Sequence, residues 1–200
     1  ATYIQYLMEE YAYITEGMVK LNKFEGLQME NGTLVEADSL IALIEAEQKP
    51  YMPNINEHGE QERVFNEFLS GKPDAYLGKS LMEAEEIPDV KSSFDYVLFL
   101  QKINTPLTKA NRQQVAGYMD ITKAPIGFIA DCLSNTHERV VDGLKWKLMK
   151  ELEGIAVTED SPEFKKQWAI IERSTKFNHL SPKQRTNKRY VEPFTEHERS

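Results

Sequence analysis

Eight consecutive residues, Ile126-Gly127-Phe128-Ile129-Ala130-Asp131-Cys132-Leu133, form a continuous apolar run of strand length. A strand with one wet face alternates apolar and polar residues, whereas an unbroken run needs cover on both faces. Shorter runs rich in strand formers precede it: Arg63–Leu69, Asp74–Gly78 and Ile87–Ser92. Segments with helical spacing stand on both sides of these. The expectation is a central mixed β-sheet flanked by helices, in the α/β or α+β class.

The helical segments follow from periodicity and end signals. Tyr3, Ile4, Leu7, Tyr11, Ile14 and Met18 recur at helical spacing, which predicts an amphipathic helix over 3–20. Asn31-Gly32 marks a turn, Thr33 and Glu36 resemble a capping box, and Leu40, Ile41, Leu43 and Ile44 give an apolar stripe. A helix over about 34–48 is therefore predicted, closed by Pro50 and Pro53 and followed by a polar loop over 54–60. Ser70-Gly71 breaks the first strand, so Arg63–Leu69 and Asp74–Gly78 read as the arms of a hairpin. Further helices are predicted over 94–102, 111–122, 137–152 and 163–174. Trp146 and Trp168 fall on apolar helical faces and read as core, and Cys132 reads as a small buried hydrophobe.

Two hundred residues suit one domain, 1–200, large enough to bury a real core. No apolar run approaches a membrane span, and no basic and apolar leader opens the chain, so a cytoplasmic setting is expected. One cysteine excludes an internal disulfide framework and a four-cysteine zinc or iron–sulfur site. The net charge of −8 argues against a polyanion partner only if it is evenly spread. It is not: residues 161–200 hold nine Lys/Arg against five Asp/Glu, and the acidic excess lies in the rest. Arg185, Lys188 and Arg189, near Phe177 and Tyr190, read either as a phosphate-tracking arm or as a solvated terminal segment. The four histidines are scattered and show no metal spacing.

The chemistry-bearing stretch runs from Ser70 to Tyr118. Asp74 follows Gly71-Lys72-Pro73 at the start of a predicted strand, where its carboxylate reaches the rim of the sheet. Asp89 and Lys91 are two apart on the next strand, so their side chains leave the same face. Asp89 can share a cation with Asp74 while Lys91 reaches the same pocket, and the Val90 carbonyl is an extra oxygen ligand. This all-oxygen set suits Mg²⁺ or Mn²⁺. Such an ion activates water and neutralises charge at a phosphate, and a neighbouring lysine stabilises the developing phosphorane. Gln114 and Tyr118 stand four apart on one helix face and read as positioning residues. Arg112 and Gln113 open that helix, whose N-terminus favours phosphate.

Gly-x-Pro-Asp, Asp-x-Lys and Gln-x-x-x-Tyr in this order resemble the PD-(D/E)xK nuclease superfamily. The Gln-x-x-x-Tyr element is similar to the branch that includes the RecB nuclease domain and phage recombination exonucleases. The likeness covers about residues 34–140. It implies a restriction-endonuclease-like core, a DNA substrate, Mg²⁺ or Mn²⁺, and Asp74, Asp89, Lys91, Gln114 and Tyr118 as the site. It also implies an acid from an upstream helix, for which Glu36 is the best local match; Glu45 competes, and Glu67 is a third choice. Pro88 departs from the pattern, because a proline has no N–H to give a central strand; it points to a bulge or to pairing on one side only. Glu85 and Glu86 are the alternative acids if the register differs. The implied activity is end-dependent degradation of linear DNA in phage-type recombination. A structure-specific or single-strand endonuclease, or an inactive DNA-binding accessory protein, are the alternatives. A single-strand annealing partner and an oligomeric ring belong to the same set of implications. No Gly-x-x-x-x-Gly-Lys-Ser/Thr loop is present in these residues, so no built-in phosphate-loop motor is expected.

Overall fold

The computed structural model describes residues 2–21, 34–152 and 158–195. The predicted turn at Asn31-Gly32 and the Thr33 half of the capping box lie outside these residues. The elements in chain order are α1 (Thr2–Glu16), α2 (Glu36–Glu47), β1 (Met52–Pro53), β2 (Val64–Phe65), β3 (Ser70–Gly71), β4 (Ala75–Gly78), β5 (Ala84–Ser93), α3 (Tyr96–Ile103), α4 (Lys109–Thr122), β6 (Ile126–Leu133), α5 (Glu138–Glu151), α6 (Pro162–Arg173), α7 (Pro182–Arg185) and β7 (Thr186–Val191).

Five strands make one mixed sheet in the order β1-β4-β5-β6-β7. The centre is the parallel pair β5 and β6, in register from Glu86 opposite Ile126 to Ser93 opposite Leu133. A parallel pair needs a long crossover, and α3 and α4 supply it. The other neighbours are antiparallel. Alternation along β5 and β6 sorts their side chains by face. Val90, Phe128, Ala130 and Cys132 pack with Leu43 of α2 and with Tyr51. Ile87 and Ile129 pack on the opposite face with Tyr118 and Ile121, and with Val115 and Met119, of α4. The apolar run over 126–133 is thus a strand covered on both faces. Burial pushes the Cys132 thiol up to about 12, so it stays an unreactive thiol.

Helix starts follow local chemistry. Asp95 caps α3 by accepting from the Leu98 N–H at 2.8 Å, and Thr108 caps α4 by accepting from the Asn111 N–H at 3.1 Å. Ser161 caps α6 with Pro162 in its first turn. By contrast α2 starts after Val35 with no side-chain cap.

Several expectations need correction. The predicted hairpin pairs differently: β2 pairs with β3, and β4 joins the main sheet between β1 and β5. Asn66 is the cause. Its Oδ1 accepts from the Phe68 and Leu69 N–H groups at 3.0 and 2.8 Å, turning the chain before it can run on as a strand. Helix α1 forms, but the stripe of Tyr3, Ile4, Leu7, Tyr11 and Ile14 is exposed, and the buried residue of the helix is Ala12. Trp146 is 58% exposed, with the Lys150 ammonium over its ring, whereas Trp168 stacks on Phe164 as expected. The basic C-terminal segment is no free arm, since residues 186–191 form an edge strand of the sheet. Of the two effects expected at Pro88, pairing on one side is seen, since β5 pairs with β4 only as far as Glu86; a register shift falls between Leu77 and Gly78, before the proline is reached.

The contact between β6 and α4 is close enough to test. A Cβ added at Gly127 would lie 2.7 Å from Val115 Cγ1 and 2.5 Å from Met119 Sδ. Gly127→Ala is expected to cost about 1–3 kcal/mol through overpacking, seen as a thermal midpoint several degrees lower. An unchanged midpoint would mean that α4 stands off from β6.

Candidate functional site

Where β4 parts from β5, one edge of β5 is left without a main-chain partner. The Val90 N–H faces that edge. Pro88, two residues earlier, presents the same edge and has no N–H to offer. The side chain of Asp74 takes the place of a strand: its Oδ2 accepts from the Val90 N–H at 2.8 Å. Asp74 is held from behind by Gln61, whose Nε2 donates to Asp74 Oδ1 at 3.3 Å and to Glu36 Oε1 at 3.2 Å. Gln61 thus ties the first residue of α2 to the sheet's rim.

Asp89 and Lys91 point from β5 toward α4. Asp89 is fully buried, and the Lys91 ammonium lies 2.7 Å from its Oδ2 as an ion pair. Neither Asp89 oxygen accepts a hydrogen bond of good geometry. Burial, opposed by Lys91 and reinforced by the negative charge of Asp74, raises the Asp89 carboxyl to about 6. Burial also raises Asp74 against the pull of the Val90 N–H and Lys91. Glu36 is raised by desolvation of its carboxylate and then by Asp74, although its position is exposed. Burial by itself would lower Lys91, but Asp89 and Asp74 outweigh it, so its ammonium stays charged.

Tyr118 completes the cluster from α4. Gln114 Nε2 donates to its hydroxyl at 2.9 Å. Burial first, and then the charges of Asp89 and Asp74, hold the phenol above its ordinary value. Its ring lies against Gly71, where an added Cβ would stand 2.4 Å from Cε1. Only a glycine lets β3 pass this close to the phenol.

The fold therefore brings together Asp74, Asp89, Lys91, Gln114 and Tyr118, with Glu36 linked through Gln61. It leaves Glu45 apart, 3.9 Å from Arg185. Glu86 turns to the α2 side and pairs with Lys49 and the Tyr51 hydroxyl, and Glu67 and Glu85 are exposed. Arg112 and Gln113 line a separate shallow cavity of about 330 Å³ with Tyr190 and Phe194. Two cations of the C-terminal segment, Lys188 and Arg189, are paired inside the fold. Lys188 pairs with Glu47, and Arg189 Nε lies 2.6 Å from buried Asp131 while its Nη1 donates to the Lys102 and Thr105 carbonyls.

Three nearby residues escape sequence reasoning. Gln61 sits in a polar stretch and carries no signal. Lys102 ends α3, and its ammonium lies 3.5 Å from Asp131 Oδ1; burial lowers its pKa despite that partner. Asp131 did have a signal, as the lone ionisable residue of the apolar run.

Two carboxylates raised by burial, Asp89 also by the charge of Asp74 and with its Oδ1 unpartnered, are a donor set that suits a divalent cation. Among the described residues no three His, Cys, Asp or Glu side chains converge on one point. The protein side chains thus offer two carboxylates, which suits an ion that keeps water or substrate oxygens as its other ligands. Beside them opens a cavity of about 500 Å³, with Glu36, Gln61 and Asp74 on its polar side and Leu40, Ile44 and Ile55 on its apolar side.

No protein-family model and no curated protein sequence matches this chain. Among solved structures it is similar to a phage-related exonuclease from Haemophilus somnus 129PT, with a TM-score of 0.50 and 17% identity. That superposition covers 95% of this chain and 72% of the other. An alkaline exonuclease from Laribacter hongkongensis superposes with a TM-score of 0.42 and 11% identity, over 86% of this chain and 84% of that one. The first of these likenesses establishes a shared fold.

The state of Asp89 leaves a mark on stability. Its folded pKa of about 6 lies above the unfolded value of about 3.9. The stability of the protonated form is complete below about pH 3.9 and is lost as pH climbs through about 6, on the order of 3 kcal/mol in all. Asp89→Asn carries no charge at any pH and escapes the loss. In EDTA at pH 8 its thermal midpoint is expected several degrees above wild type, and the gap should close below pH 4. Equal midpoints at pH 8 would contradict a buried charge that Lys91 compensates only in part.

Proposed function

We propose that this chain is a metal-dependent DNA nuclease, acting as an exonuclease on the ends of linear duplex in phage-type recombination. The observation that carries the reading is the convergence of Asp74, Asp89, Lys91 and Tyr118 on the one edge of β5 that has no strand partner. The shared fold with a protein described as a phage-related exonuclease supports it.

Asp74, Asp89 and the Val90 carbonyl would hold Mg²⁺ or Mn²⁺, with Glu36 standing behind Asp74 through Gln61. Bound there, the ion supplies an activated water and charge neutralisation at the phosphate. Asp74 keeps outward lone pairs because the Val90 N–H and Gln61 fix its orientation. Lys91 remains an ammonium beside Asp89 and offsets negative charge on the pentavalent phosphorane. Gln114 donates to the Tyr118 oxygen, which frees the phenolic proton for a phosphate oxygen. Burial keeps that proton on the phenol at working pH.

The test is hydrolysis of end-labelled linear duplex and of closed circular DNA, with Mg²⁺ and with EDTA. Metal-dependent loss of linear DNA alone is expected. Cleavage of circles at an equal rate would replace the exonuclease with an endonuclease, and no cleavage of any DNA would overturn the enzyme reading. Asp74→Asn and Lys91→Ala should abolish turnover while leaving DNA binding intact, whereas Tyr118→Phe should slow it by about 10–100-fold. Because Asp89 must be ionised to hold a cation, activity should fall as pH drops below about 6. A rate that rises in acid would place the acidic ligand elsewhere.

A further inference from the structure

The β2–β3 hairpin carries the most exposed phenylalanines among the described residues. Phe65 is 74% and Phe68 80% accessible. Single exposed apolar residues are ordinary, but these two sit on a turn held in one shape. Asn66 closes the turn through the Phe68 and Leu69 N–H groups, and its own N–H donates to the Leu69 carbonyl at 2.9 Å. Its Nδ2 also donates to Asp120 of α4 at 3.0 Å. Val64 and Leu69 pack inward against Tyr118 and Ile121. The two inward residues, the Gly71 contact with Tyr118 and the Asn66 link therefore fasten the hairpin to the helix of the candidate site. The rings of Phe65 and Phe68 are left in water.

Strand β3 ends at Gly71, three residues before Asp74. Three residues span about 10 Å at most, so a strand held at Asp74 passes within reach of the hairpin. Arg63 and Lys72 flank the rings, but so do Glu62 and Glu67. Net charge is therefore not what this hairpin offers. It offers two flat apolar faces, and every nucleobase has a face to stack on them.

We propose that Phe65 and Phe68 form a stacking platform for bases of the DNA strand next to the scissile phosphate. The proposal rests on the nuclease reading and adds to it a substrate-binding element outside the acid cluster. The rings act on substrate binding, not on bond cleavage. Their contribution is stacking, so it persists at salt concentrations that weaken phosphate contacts.

Binding and turnover are measured on the same proteins. With a short DNA carrying a single-stranded end, in EDTA, Phe65→Ser/Phe68→Ser is expected to bind about tenfold or more weakly than wild type. The ratio should be similar at low and high salt. In turnover the loss falls on KM. Phe65→Tyr/Phe68→Tyr should restore affinity, which a general effect on folding would not. Phe68→Trp adds an indole whose emission, after subtraction of the parent signal, should be quenched by the DNA. Unchanged affinity in the serine variant with no quenching in the tryptophan variant overturns the platform and leaves the hairpin free for a protein partner. A loss that vanishes at high salt also overturns it. Failure of the nuclease reading is separately visible as wild-type protein that cleaves no DNA with Mg²⁺ or Mn²⁺.

Discussion

The parting of β4 from β5 is the constraint on which the site depends. A sheet edge with an open N–H normally invites another strand. Here Pro88 removes one donor from that edge and the Asp74 carboxylate satisfies the next, at Val90. The edge is closed by an acid instead of a strand. That substitution fixes Asp74 beside the backbone of Val90 and beside Asp89, and it leaves the Val90 carbonyl edge open. A third strand at this point would bury the groups that the proposed chemistry uses.

The electrostatics follow from the same geometry. Asp89 is buried with Lys91 as its one close partner, an arrangement that costs stability. Functional sites commonly keep such costs where the rest of the fold can bear them. The adjacent pair, Asp131 with Arg189 and Lys102, shows the contrasting solution one strand over. There the buried acid is held by two cations, and the guanidinium is further fixed by two carbonyls. Asp131 faces two cations, although its Oδ1 accepts no hydrogen bond, whereas Asp89 has Lys91 alone.

Much of this was legible in the sequence, for identifiable reasons. The apolar run over 126–133 needed cover on two faces, and α2 and α4 provide it. The two-residue spacing of Asp89 and Lys91 put them on one face because β5 is a regular strand. Gln114 and Tyr118 meet because α4 is a regular helix. What failed were readings that depended on tertiary partners. The apolar stripe of α1 has the right period yet stays exposed among the described residues. The basic residues near 185–189 have the composition of a free arm, but they run into an edge strand, with Glu45, Glu47 and Asp131, distant in sequence, beside them. Gln61 was invisible because a bridging amide in a polar loop looks like any other, although it is what links Glu36 to Asp74.

The most direct measurement of the central claim is an anomalous difference map from crystals soaked in Mn²⁺. The account predicts a peak shared by the Asp74 and Asp89 carboxylates at the open edge of β5, absent from Asp89→Asn crystals treated in the same way. A fully soaked crystal with no peak there, or with its strongest peak away from these two acids, would contradict it.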